Sequence, residues 1–442
     1  MRTEAEDQLA RQFASVGSGL PGKGWVPAAR KEAITRFTRA GLPHRRIEEW
    51  KYTDLRTAIK SAFAPAGAST RKVDSALLAE ALGPDMAAVR CIRLVLLNGR
   101  FVASFVPDGH EEGAVWAFSP LAEVLGKPGY EWVQSAFAMV DDDRLAVRAI
   151  NTAFVTDGIA LRVAAGAKLD LPIHIVSITD ADEPVAVATR NLVRIEAGAK
   201  ATVIESHVGL GEAAVMRQAT SVTQLTVGEK AEAHHIQHLA GGPETMHLGQ
   251  WDVELTDRAI YRGFQLTTGA GLARNECRVG FTGPDAKLDL SGLMLGRGRD
   301  HIDTTLVVDH TTTGCESREL FKAVLDDRAR AVFQGKVIVA PEAQKTDGKQ
   351  MAQALMLSPD AEFDSKPELE IYADDVACGH GSTAAELDSD MLFYLRARGI
   401  PLDEARALLI QSFAAEALEK IDDETIREAA RALTLAWLAG LR

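Results

Sequence analysis

From about residue 153 to residue 385, apolar and polar residues alternate in short runs, among them Leu192-Val-Arg-Ile-Glu196, Thr202-Val-Ile-Glu-Ser206 and Trp251-Asp-Val-Glu-Leu255. A period of two puts successive side chains on opposite faces of a strand, so each run predicts a strand with one buried face. Turns of one recurring kind separate the runs: Ala165-Gly-Ala-Lys-Leu169, Ala197-Gly-Ala-Lys-Ala201, Val227-Gly-Glu-Lys-Ala231, Thr256-Asp-Arg-Ala-Ile260, Pro284-Asp-Ala-Lys-Leu288, Asp327-Arg-Ala-Arg-Ala331 and Pro359-Asp-Ala-Glu-Phe363. Their starts lie 32, 30, 29, 28, 43 and 32 residues apart. A step of about 30 residues marks stacked coils, each too small to bury its apolar face without its neighbours. The pattern predicts a mainly β fold with a right-handed parallel β-helix, a solenoid, over residues 151–383. A large sandwich would instead need tight hairpin turns, and few Asn-Gly or Asp-Gly pairs occur. The one long step holds Asp309-His310-Thr-Thr-Thr-Gly-Cys315-Glu-Ser-Arg-Glu319. Extra residues in a solenoid usually form a loop on one face, so a loop is expected there.

Both ends read as helical. Residues 1–150 form an expected N-terminal helical domain with a β-hairpin, and residues 384–442 a C-terminal helical domain. Thr3–Val16 and Ala28–Ala40 are the first two expected helices, the second with Ala33, Ile34 and Phe37 on one face. Asn98-Gly99 between Ile92–Leu97 and Phe101–Val106 is a strong hairpin signal. Past Gly381, Asp388–Arg398 and Leu402–Leu418 are expected as amphipathic helices, with Pro401 at a helix start, and Thr425–Leu441 as a last helix. Gly17 to Lys23 fits the G-x-x-x-x-G-K part of a phosphate loop, but Gly24 stands where Ser or Thr is needed and no strand precedes it. It reads as a linker. Pro43 to Thr53 is dense in charge and aromatics, and is expected to start a surface helix that Trp50 and Tyr52 dock on the body.

Composition narrows the function classes. The chain of 442 residues carries a net charge of −13, which argues against nucleic acid or an anionic membrane as partner. No apolar run approaches the roughly 18 to 20 residues of a membrane span. The first residues, Met-Arg-Thr-Glu-Ala-Glu-Asp, lack the apolar stretch of a signal peptide, so a cytoplasmic location is expected. The four cysteines, Cys91, Cys277, Cys315 and Cys378, form no CxxC pair and suggest neither a disulfide framework nor a zinc knuckle. Cys91 opens a core strand.

Candidate chemistry concentrates late in the chain. In Lys366 to Gly381, Leu369 and Ile371 share one strand face, Glu368 and Glu370 the other, and Cys-Gly-His-Gly follows. Cys378 and His380, two residues apart, project to the same side of an extended backbone and can meet one metal or one partner surface. Gly379 and Gly381 remove bulk beside them. His234, His235 and His238 are expected as solvated histidines on an exposed strand face, with His234 and His238 on one side and His235 on the other. His301 and His310, near Asp300, Asp303 and Asp309, match no metal-ligand spacing. No G-x-S-x-G, H-E-x-x-H or dinucleotide glycine set is present. A carbohydrate-active β-helix enzyme using clustered carboxylates stays open as the alternative.

The run Ser365-Lys-Pro-Glu-Leu-Glu-Ile-Tyr-Ala-Asp-Asp-Val-Ala-Cys-Gly-His-Gly-Ser-Thr, followed by Leu392-Phe-Tyr-Leu-Arg-Ala-Arg-Gly-Ile400, resembles the SufD branch of the SufB/SufD iron–sulfur cluster assembly family. Asp309-His310, Glu319-Leu-Phe-Lys322, Val332-Phe-Gln-Gly-Lys336, Ala343-Gln-Lys-Thr-Asp347 and Glu48-Glu-Trp-Lys-Tyr-Thr53 support the resemblance, which spans about residues 44–420. Where the family commonly has Cys-Ser-His-Gly, this chain has Cys-Gly-His-Gly. The resemblance implies a parallel β-helix between helical ends and a non-catalytic scaffold subunit. It implies a heterodimer with a SufB-like paralogue, docking of a SufC-like ATPase, and a transient iron–sulfur cluster shared with SufB. His380, and then Cys378, would lie at the interface and act as transient metal ligands. The helix carrying Leu402, Ala405, Leu408, Leu409 and Phe413 would dock the ATPase. The family also links a flavin, FAD, to the assembled complex, and no residue here identifies its site. For the chain alone, monomer and homodimer both stay open; a homodimer would cover the edge that meets SufB, which otherwise exposes unpaired strands.

Overall fold

The computed structural model describes residues 2–137, 145–210 and 214–441. Its centre is a parallel β-solenoid whose strands alternate between two sheets, one of ten strands and one of nine. Each strand pairs in parallel with the strand two further along the chain, as Glu316–Leu325 does with Asp347–Met356 and Arg330–Val339 with Glu362–Ile371. The repeat seen in the sequence is therefore one coil of two strands. Its turns place one residue in the left-handed region: Gly166 and Gly198 in the first coils, then Lys230, Arg258, Asp285 and Asp327 at φ of 52° to 58°.

The expected loop between residues 309 and 319 is absent. His301–His310 and Glu316–Leu325 are both full strands joined by a short turn, and the long step spans three strands where the others span two. The five turns from 165 to 284 lead from the nine-stranded sheet to the ten-stranded one, whereas those at 327 and 359 lead back, so the series changes sides of the coil across that step.

Inward side chains fill the solenoid, with Trp251, Phe281, Phe321 and Phe333 at most 2 % exposed. The middle of the interior also holds a carboxylate. Glu205 lies beside His235 Nε2 (2.7 Å) and His207 Nε2 (3.4 Å), and accepts from Thr223 Oγ1 (2.9 Å) and Asn191 Nδ2 (3.2 Å). Burial alone would raise its pKa, but these polar neighbours hold it well below the usual carboxylate range.

The hairpin forms as read: Ile92–Leu97 pairs antiparallel with Arg100–Phe105. Asn98 and Gly99 take φ of 50° and 72°, as a primed two-residue turn requires. Its first strand also pairs in parallel with Ile173–Asp180, so the ten-stranded sheet begins before residue 150. The first helix, Glu4–Val16, is opened by a capping box in which Thr3 accepts from the Glu6 amide and Glu6 accepts from the Thr3 amide. The second runs Val26–Ala40 with Pro27 in its first turn, and Ala33, Ile34 and Phe37 are buried. Gly17–Gly19 is a single tight turn after a helix, with no strand before it. At the other end, Leu402–Leu418 and Glu424–Ala439 cover the outer face of the ten-stranded sheet. Ile410, Ala414, Leu418, Ile426 and Trp437 bury themselves against sheet residues such as Phe264, Leu293 and Val324.

Candidate functional site

The solenoid ends on Glu362–Ile371 in one sheet and Ala377–Ala385 in the other, and each pairs on one side only. No helix among the described residues completes either edge. The last strand therefore carries unpaired backbone groups, and inward side chains of the final coil face an open end. Cys378 and His380 belong to that strand. Register aligns Cys378 with Gly348 and Ser317, and His380 with Gln350 and Glu319, on three successive strands. Alternation puts all of these on the face shared with Phe321, the solenoid interior.

Cys378 is half-buried and His380 exposed. Gly348 leaves room behind the thiol: a Cβ there would stand 3.6 Å from Cys378 Sγ and 3.4 Å from Ser317 Oγ. Burial raises the thiol pKa, against lowering contributions from the Gly348 backbone and Lys349. On the other face, Gly381 accommodates Met351, whose Cε lies 2.8 Å from where a Cβ would sit.

Two residues behind this pair were not singled out as site residues in the sequence. Glu319 is 2 % exposed, and neither of its carboxylate oxygens has a hydrogen-bond partner among the described residues. Burial pushes its carboxyl up to about 8, so it is largely protonated at neutral pH. Gln350, 3 % exposed, also leaves both amide atoms unpartnered. Its side chain reaches toward Gly335 of the opposite sheet, where a Cβ would fall 2.2 Å from Nε2. Unsatisfied buried polar groups are uncommon, and here they line the interior next to an open end. Aligning the coils by the repeat would have brought Glu319, Gln350 and His380 into one column.

Two family descriptions match this chain: "SufBD protein N-terminal region" over residues 23–175, and "SUF system FeS cluster assembly, SufBD core domain" over residues 177–413. The SufD iron–sulfur cluster assembly protein of Escherichia coli K12 is 32% identical over 413 residues, 90% of each chain. The chain belongs to the SufB/SufD family, in its SufD branch. A SufBD family protein of Synechocystis is 31% identical over 86% of this chain and 84% of its own, and the chloroplastic protein ABCI7 of Arabidopsis thaliana is 28% identical over 96% and 87%.

In this SufD-branch chain the other candidate residues are structural. The expectation of solvated histidines at 234–238 is overturned: His234, His235 and His238 are 8 %, 0 % and 2 % exposed. His235 stacks on Trp251 at 3.9 Å inside the solenoid, while His234 and His238 lie on the outer face, His234 3.6 Å from Asp422 of the C-terminal segment and His238 3.2 Å from Thr268 Oγ1. The sheet is covered there, which strand periodicity could not show. Glu232, His234 and Asp422 do bring three metal-type ligand atoms together. Arg262 already supplies the cation, 2.5 Å from Glu232 and 3.4 Å from Asp422. His301 and His310 sit at opposite ends of one strand and cannot share an ion. His310 stacks on Phe281 at 4.3 Å, and burial lowers its pKa to about 4. Cys91, Cys277 and Cys315 are buried, and burial lifts the Cys91 thiol to about 11.

The residues expected to dock an ATPase divide. Leu402 and Leu408 are 41 % and 42 % exposed, and Leu409 is half-buried. Ala405 is fully buried within the chain and is unavailable to a partner. Phe413 faces inward, with Lys322 Nζ 4.1 Å over its ring. Lys322, 2 % exposed, also donates to the Phe413 carbonyl (3.1 Å) and pairs with Glu416. The helix is thus apolar on both faces rather than amphipathic, one face against the sheet and the other in solvent. The preceding helix, Ser389–Ala397, buries no residue, and its Phe393 is 74 % exposed.

Proposed function

We propose that the chain is a non-catalytic scaffold subunit that joins a SufB-like paralogue through the open end of its solenoid and presents Cys378 and His380 to a nascent iron–sulfur cluster there. The single observation that carries this reading is the unpaired final coil with a thiol and an imidazole on its inward face. A partner's edge strand continues the ladder and closes the interior in one step. The cluster is cargo. Thiolate and imidazole are both competent iron ligands, and two donors from one subunit hold it loosely enough to be passed on. The exposed apolar face at Leu402, Leu408 and Leu409, with Met391, Phe393 and Tyr394 beside it, is the proposed seat of a SufC-like ATPase. Motion of that partner against these helices would change the ligand geometry at the shared edge. Family membership supports an assembly role over the carbohydrate-enzyme alternative. No described helix is long and apolar enough to cross a membrane.

The test is anaerobic reconstitution of the chain with SufB-like and SufC-like partners, comparing wild type with His380→Ala and Cys378→Ala. Complex formation is expected to survive while cluster yield falls, more for His380. Unchanged yield with both variants would remove the ligand role, and failure to isolate a complex would remove the pairing.

A further inference from the structure

The segment Glu48-Glu-Trp-Lys-Tyr-Thr53 does more than dock. Trp50 is 1 % exposed, with the Arg274 guanidinium stacked 3.8 Å over it. Arg274 also donates to the Glu49 carbonyl (2.8 Å) and pairs with Asp303 at 2.5 Å. Thr53 Oγ1 donates its one proton to Asp303, so the bond of 2.8 Å between Thr53 and His301 must run from His301 Nε2–H to the Thr53 oxygen. The backbone from Glu49 to Thr53 is thereby fixed on the nine-stranded sheet.

Beside this rigid base lies an open cleft of about 710 Å³, the size range of small-molecule sites. It is bounded by the N-terminal segment, the strands Gly242–Leu255 and Ala270–Phe281, and the turn at Arg299. Arg45, Lys51, Arg299 and Arg330 line it against two carboxylates, Asp54 and Glu244. Arg330 is held by Asp364, and Asp54 caps a short helix by accepting from the Thr57 amide at 3.1 Å. Arg45, Lys51 and Arg299 are exposed and have no ion-pair partner among the described residues, on a chain whose net charge is −13. Tyr52 presents a half-buried ring, and Met246 and Leu272 add apolar wall.

We propose that this cleft binds a small phosphate ester that carries a planar ring, with Arg45, Lys51 and Arg299 around the phosphate and Tyr52 against the ring. Three cations outside any described ion pair, Arg45 and Lys51 from the N-terminal segment and Arg299 from a solenoid turn, line one concavity, with Lys51 Nζ 5.3 Å from the centre of the Tyr52 ring, an arrangement suited to a compact, multiply charged anion beside that ring. The aromatic and apolar wall suits the ring. No part of this rests on the scaffold reading, and its failure leaves that reading untouched.

Isothermal titration of the intact chain with sodium pyrophosphate and with ADP at low ionic strength tests the assignment, with sodium sulfate as the control anion. Both phosphates are expected to bind, and ADP more tightly. Lys51→Glu and Arg299→Glu, at exposed positions that leave the fold intact, are each expected to weaken both by at least about tenfold. Tyr52→Ala should weaken ADP while sparing pyrophosphate. Absence of heat with either phosphate, sulfate binding as tightly as pyrophosphate, or affinities unmoved by the charge reversals would overturn the proposal.

Discussion

The buried carboxyl of Glu319 makes a pH-dependent stability prediction that a single substitution isolates. Its pKa is displaced from 4.5 to about 8 because burial penalises the charged form. The folded chain therefore keeps a proton that the unfolded chain releases, and stability falls as pH rises between those values. The penalty, relative to a neutral group, is about 1 kcal/mol near pH 5, about 3 kcal/mol near pH 7 and about 5 kcal/mol near pH 9. These are upper figures, since water reaching the open end would relieve part of the burial. Glu319→Gln keeps the shape and the neutral charge of the protonated acid, so it is expected to stabilise the chain by amounts that grow along that series. Urea unfolding of both proteins across this pH range gives the difference directly, and other titrating groups cancel in it. A difference that stays flat with pH, or Gln less stable than wild type at alkaline pH, would refute the account.

Other substitutions probe other parts of the fold. Trp50→Ala removes a fully buried ring and strands the Arg274 guanidinium above it; calorimetry should show a loss of about 3–5 kcal/mol. Lys322→Ala breaks the contact between the sheet and Phe413 and Glu416. A cost of about 1–3 kcal/mol is expected, with faster amide exchange confined to residues 402–439. Gly158→Ala would set a Cβ 1.7 Å from the Arg190 carbonyl oxygen, a backbone atom that cannot move alone; loss of soluble protein is expected. Comparable yield and melting temperature would show that the first coil is looser than its geometry.

Much of the architecture was legible because it repeats. Alternation with a regular turn step names a solenoid, since each coil must present the same buried face to its neighbours. The hairpin at Asn98-Gly99 and the start of the helix Leu402–Leu418 at Pro401 follow from local backbone preferences, which need no knowledge of the rest of the chain. Cys378 and His380 were also readable as a pair, since i and i+2 positions of a strand share a face. Between 284 and 327 the series of similar turns passes from one side of the coil to the other, so that one added strand has the look of an insertion.

What lies across the coils belongs to the tertiary structure. His234, His235 and His238 look like surface residues in a polar stretch, yet His235 is stacked inside the solenoid, His234 is covered beside Asp422, and His238 is buried on the outer face. Burial is a property of what covers a strand, and the covering helices come almost two hundred residues later. Ala405 and Leu408 lie within one turn of the same helix, yet one is buried and the other exposed. Glu319, Gln350 and His380 become neighbours only when the strands stack in register, and Arg45, Lys51 and Arg299 only when the N-terminal segment folds onto the solenoid. Local sequence sets periodicity, turns and faces; register and coverage, which act over long separations, decide which polar side chains meet.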